Sequence, residues 1–124
     1  MGAEARESYF RRHLAQGSID FSQHASVSNA AAPGVLIRAT TADCEVRVTD
    51  VIVYNAAGVA AVITFYDVDS NVMLVLSVGT LETIALTPKA SLVWGEHDIY
   101  ARTDQAVNAE ITVIGREIPQ AWRL

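Results

Sequence analysis

The sequence predicts an all-β chain, an antiparallel β-sandwich or jelly roll of about eight strands with a short N-terminal helix or arm. Three observations lead there. From residue 34 onward, short apolar runs are punctuated by turn residues roughly every ten positions. Nothing in this body repeats its apolar residues at helical spacing. The third observation is the stretch from Ala60 to Val78, where Ile63 and Phe65 share one face and Val62, Thr64 and Tyr66 the other. After a polar break from Asp67 to Asn71, Val72, Leu74, Leu76 and Val78 alternate with Met73, Val75 and Ser77. Two period-two runs around Asp, Ser and Asn predict a β-hairpin. Because both of its faces are largely apolar, the hairpin is expected inside a sheet rather than at its edge. A jelly roll is the first expectation and an immunoglobulin-like sandwich the second; strand order is not readable from the pattern.

Taken in order, residues 3–16 are helix formers free of Pro and Gly, with Phe10 and Leu14 four apart, Arg6 and His13 beside them, and Gly17 as a C-terminal stop. A helix this short is marginal alone in water and needs a surface to dock on, so a frayed terminus is the alternative. Residues 18–33 lose any period beyond Ile19 and Phe21 and read as an extended arm or linker with at most a short strand at 24–28. Val35–Thr40 is a first strand and 41–43 a turn. Cys44–Asn55 is a long strand with Cys44, Val46 and Val48 on one face; its alternation breaks near Thr49 and Asp50, which predicts a bulge. Asn55–Gly58 has turn chemistry. Beyond the hairpin, strands are expected over 81–86, 91–94, 97–103 and 107–118, with Pro119 ending the sheet. The organisation is then a helix and arm (1–33), a β-sandwich domain (34–119) and a docking tail (120–124) holding Trp122 and Leu124.

Composition narrows the function classes. A chain of 124 residues is long enough for one independent core. Its net charge of −5, with a single lysine at Lys89, opposes binding to a phosphate backbone, so nucleic acid is not an expected partner. No run approaches membrane-spanning length, and the N-terminus lacks the apolar core of a signal peptide. The lone cysteine, Cys44, excludes an intrachain disulfide and fits a reducing compartment; it reads as a small core residue in register with Val46 and Val48 rather than as a nucleophile.

Few side chains suggest chemistry. Asp67, Asp69 and Asn71 have the opening spacing of a helix-loop-helix calcium loop, but Val72 stands where its glycine belongs and Val78 where its bidentate Glu belongs. Hairpin-turn chemistry explains them better, leaving a weak metal candidate. His97 and Asp98 beside Ser91 invite a hydrolase reading, yet neighbouring strand residues face opposite ways and no Gly-x-Ser-x-Gly elbow exists. His13, His24 and His97 are too few and too scattered for a cupin-type metal centre, and His24 reads as a solvated loop residue. No cofactor is expected. Trp94 and Tyr100, with Tyr54, are candidate sugar-stacking aromatics, against the more ordinary reading of core and interface packing.

The segments 48–55, 60–67, 88–94, 98–103 and 110–118 together resemble small β-sandwich structural proteins of tailed bacteriophages. These are strand-and-turn patterns and carry no catalytic signature. The resemblance implies a non-enzymatic virion component, assembled in the host cytoplasm, such as a capsid decoration protein or a head or tail accessory protein. It implies a homo-oligomer that contacts other virion proteins. Phe10, Leu14, Trp122 and Leu124 are the apolar ends expected at such contacts. A carbohydrate-binding module is the alternative.

Overall fold

Period-two alternation puts every second side chain of a strand on one face, and a chain built this way must bury that face against another sheet. The computed structural model describes residues 19–120. The expected helix over 3–16, with Phe10 and Leu14, and the residues Trp122 and Leu124 lie outside the described residues. Nine strands occur among the described ones: β1 (Ile19–Val27), β2 (Val35–Arg38), β3 (Cys44–Asn55), β4 (Ala61–Tyr66), β5 (Val72–Val78), β6 (Thr83–Leu86), β7 (Leu92–Gly95), β8 (Ile99–Thr103) and β9 (Ala109–Pro119).

All pairings are antiparallel. One sheet runs β1-β9-β3-β6, with β7 also on β3, and the other runs β2-β8-β4-β5. β7 pairs along Val46–Val48 and β6 along Val51–Tyr54, so the two lie end to end beside β3 and fill the place of one strand. The count is then eight positions. First pairs with last, second with second-to-last, β3 with β6 and β7, and β4 with β5. That nesting is a long hairpin rolled over on itself, the jelly-roll topology, and it excludes the immunoglobulin-like order.

The core is the interleaved inner faces: Phe21 and Val27 of β1, Val46, Val48, Val51 and Val53 of β3, Ile63 and Phe65 of β4, Ile99 and Ala101 of β8, and Ile111 and Val113 of β9. The phase break in β3 is the expected bulge. Val48 faces Gly115 and Asp50 faces Ile114, which leaves Thr49 extra. Gly115 is required there, since a Cβ would stand 2.3 Å from the Arg47 carbonyl oxygen. Asn55, fully buried, organises the adjoining turns: its amide donates to the Val59 and Gly79 carbonyls, and its Oδ1 accepts the Ala57 N–H.

Three expectations need correction. Residues 19–27 are no arm or linker but a strand paired along its whole length with β9. The period was concealed because Gln23 and Ala25 take inward positions between Phe21 and Val27. The β4–β5 hairpin is not wholly interior: β4 lies between β8 and β5, while β5 is the sheet edge. Its second apolar face reads in sequence like burial, yet Val72 and Val75 are exposed. Leu81 belongs to a turn with φ 54°, ahead of β6, and not to the strand.

A charged group of β9 enters the core. Glu117, 1 % exposed, points inward from β9 and accepts from Arg38 Nε at 3.1 Å and the Thr41 N–H at 3.3 Å. The Arg38 guanidinium lies 4.0 Å from the centroid of the Phe21 ring and donates to Gln23 Oε1 at 3.3 Å. Burial pushes the Glu117 carboxyl upward, but the Thr41 hydrogen bonds and the Arg38 charge outweigh it and hold it below the ordinary value. β1, β2 and β9 are thus fastened together at one side of the sandwich.

Candidate functional site

The β4–β5 loop is built on Asp67. Its Oδ1 accepts the backbone N–H groups of Asp69 and Asn71, both at 2.9 Å, and its Oδ2 accepts the Asn71 amide at 3.0 Å. This is Asx-turn chemistry, and Ser70 completes it at φ 62°. Burial raises the Asp67 carboxyl, but the Asn71 and Asp69 hydrogen bonds and the His97 charge prevail and lower it. Asn71 is therefore a turn partner of Asp67. The side chain that joins Asp67 and Asp69 is His97 from the β7–β8 loop, with ligand atoms all within 4.8 Å of one another. Sequence spacing could not find His97, because topology alone brings the two loops together. Two carboxylates and an imidazole suit a first-row divalent ion, but Asp67 already takes three protein donors.

The hydrolase trio does not form. Asp98 accepts the Thr40 N–H at 2.7 Å, and the His97 carbonyl accepts the Thr40 hydroxyl, so this segment pins the β2–β3 loop. A different acid–imidazole–hydroxyl set exists on the outer face of the first sheet. His24 Nε2 lies 2.7 Å from Glu110 Oε2, and its Nδ1 lies 3.3 Å from Thr112 Oγ1. Strand pairing sets His24 opposite Thr112, and His24 is thereby a strand residue and not a loop one. The imidazole is 60 % exposed, and among the described residues nothing forms around it the concave, water-excluding surroundings that acyl transfer needs. Cys44 is buried, and burial, then Glu117 and Asp43, push its thiol up, away from the nucleophilic thiolate.

The three candidate ligand aromatics do not share a surface. Trp94 is 1 % exposed, edge-on to Phe65 at 6.5 Å between ring centroids, and its Nε1 donates to the Tyr66 carbonyl at 3.3 Å. It is a core residue, so the stacking role expected of it is corrected. Tyr54 lies on the outer face of the first sheet, opposite Glu110. Tyr100 lies on the outer face of the second, opposite Tyr66.

The two outer faces differ in kind. That of the first sheet mixes charge with apolar groups: Asp20, Arg116, Arg47 and the exposed Val93 form one row, and Ile52 and Tyr54 stand exposed near His24 and Glu110. That of the second carries a neutral row crossing all four strands: Leu36 opposite Tyr100, Tyr100 opposite Tyr66, Tyr66 opposite Val72. Below it run Arg102, Thr64 and Val75. The one charge among these, Arg102, is turned to the Ala30 carbonyl and Asn29 Oδ1. Leu36, Val72 and Val75 are about half exposed or more (47 %, 59 % and 52 %). A groove of about 350 Å³ at the open end of the hairpin, lined by Ala60–Val62, Ser77–Gly79 and Asp104, borders this face.

No protein-family model, curated protein or solved structure matches this chain.

Proposed function

We propose that this chain is a non-enzymatic assembly protein that acts as a homo-oligomer, most simply a virion component of a tailed bacteriophage of the decoration or head-or-tail accessory kind. The observation that carries the assembly reading is the neutral Leu36–Tyr100–Tyr66–Val72 row on one sheet of a chain whose net charge is −5. A contiguous apolar strip of this kind is what interfaces present, whereas on the opposite sheet charged residues break up the exposed apolar ones. The fold agrees with the virion assignment but does not decide it, since jelly rolls also serve lectins and cupins. Burial of Trp94 removes the main support for a sugar platform.

Light scattering on the full chain tests the reading. An oligomer stable through dilution into the low micromolar range is the expected result. A monomer at every concentration would refute a preformed assembly.

A further inference from the structure

A two-layer sandwich has four sheet edges, and natural proteins blunt such edges with charge, proline, bulges or short strands. Three of the four edges here are blunted. β1 carries Asp20 and His24 along with Ser22, Gln23 and Ser26. The opposite edge of that sheet is divided between the four-residue strands β6 and β7. β2 is four residues long, follows Pro33 closely and is broken by a register shift before Arg38. β5 is different. It runs seven residues, and no charged residue or proline occurs from Ser70 to Leu81. A register shift leaves Met73 extra near its start, but its pairing with β4 is regular from Leu74 to Val78, and no described strand covers its other side.

The strand is also close to a palindrome. Val72-Met73-Leu74-Val75-Leu76-Ser77-Val78 reads nearly the same in reverse about Val75, with only Met73 and Ser77 exchanged. Two antiparallel copies related by a two-fold axis need such self-complementarity, because each residue i meets its symmetric counterpart. With Val75 on the axis, Leu74 of one copy stands opposite Leu76 of the other on the core side. The two Val75 side chains then meet on the outer face. The outer row that crosses the axis is then Arg102, Thr64 and Val75 of one copy, continued by Val75, Thr64 and Arg102 of the other.

Building on the assembly reading above, we propose that two copies of this chain join edge to edge through β5, antiparallel about a two-fold axis near Val75, merging two four-stranded sheets into one of eight strands. Backbone hydrogen bonds along the edge supply the affinity, and the Leu-Val-Leu register supplies the specificity.

The test uses the full chain with three variants, each checked for cooperative melting. Val75→Lys places a charge on the axis at an exposed position, and Val93→Lys does the same at a similarly exposed position on β7. The expected result is that Val75→Lys halves the solution mass and Val93→Lys leaves it unchanged. In the third variant, Val75→Cys with Cys44→Ala, an oxidant such as copper phenanthroline should join the two thiols in a disulfide across the axis. Facing residues of an antiparallel pair have Cα atoms roughly 4.5–5.5 Å apart, within disulfide range. This cross-link decides the matter should Val75→Lys fail to fold. A wild-type oligomer that Val75→Lys leaves intact and Val75→Cys does not cross-link overturns the β5 pairing while the assembly reading stands. An oligomer that Val75→Lys dissolves but Val75→Cys does not cross-link means that the edge receives another segment, which also overturns it. A wild-type monomer overturns both.

Discussion

Removing Arg38 should expose how much the fold depends on a single buried charge. Arg38→Ala deletes the Nε bond to Glu117, the bond to Gln23 and the guanidinium over Phe21, and leaves a carboxylate that is 1 % exposed with its Thr41 hydrogen bonds and no counter-charge from Arg38. Breaking a buried pair from one side costs about 3–5 kcal/mol; the surviving Thr41 bonds place the expectation near the lower end, ~3 kcal/mol. Replacing both partners by apolar residues, Arg38→Met with Glu117→Leu, should cost far less than the single change, within about 1 kcal/mol of wild type. Urea unfolding at fixed protein concentration, across pH, is the assay. In the wild type the Glu117 carboxyl lies below its ordinary 4.5, so the unfolded state binds its proton more readily. Its contribution is fully present above that ordinary value and is lost as pH falls through the lowered folded value. Without Arg38, two of the influences that lower the carboxyl are gone, so it should lie higher than in the wild type and the variant should neutralise the group sooner in acid. The gap between wild type and Arg38→Ala should therefore narrow as pH is lowered from neutrality to about 4. A single-variant cost under about 1 kcal/mol, or a gap independent of pH, would refute the reasoning.

Two further outcomes follow from the same packing. Trp94→Ala should destabilise by about 3–5 kcal/mol, the cost of emptying a fully buried aromatic site; a stability change under 1 kcal/mol in chemical unfolding would contradict its place in the core. Asp67→Ala strips three hydrogen bonds from the β4–β5 turn and should cost about 1–3 kcal/mol, equally with and without EDTA. A cost that vanished in chelator would show that a bound cation, rather than the turn, is what Asp67 serves.

The class of fold and most strand positions were legible because they rest on local alternation, and the bulge at Thr49 could be read from one broken phase in β3. What stayed hidden was whatever depends on a distant partner. β1 escaped notice because Gln23 faces inward, where Arg38 from β2 donates to it. His97 could not be linked to Asp67 and Asp69 until two loops met at one end of the sandwich. Trp94 has the same composition signal whether it stacks on a ligand or on Phe65; burial decides, and burial is a tertiary property. The apolar second face of β5 illustrates the converse: local pattern reports that a surface wants covering, not what covers it.

The nesting of first strand with last also dictates an order of events. β1 meets β9 across roughly 80–100 residues of chain, whereas β4 and β5 are joined by a five-residue turn around Asp67. On a ribosome β1 emerges early and finds no partner until nearly the whole domain has been made. The hairpin can close as soon as Val78 is out. The polar residues that concealed β1 in the sequence, Ser22, Gln23, His24 and Ser26, suit a strand that must wait in water for its partner, and the turn around Asp67 is the shortest closure between paired strands in the roll.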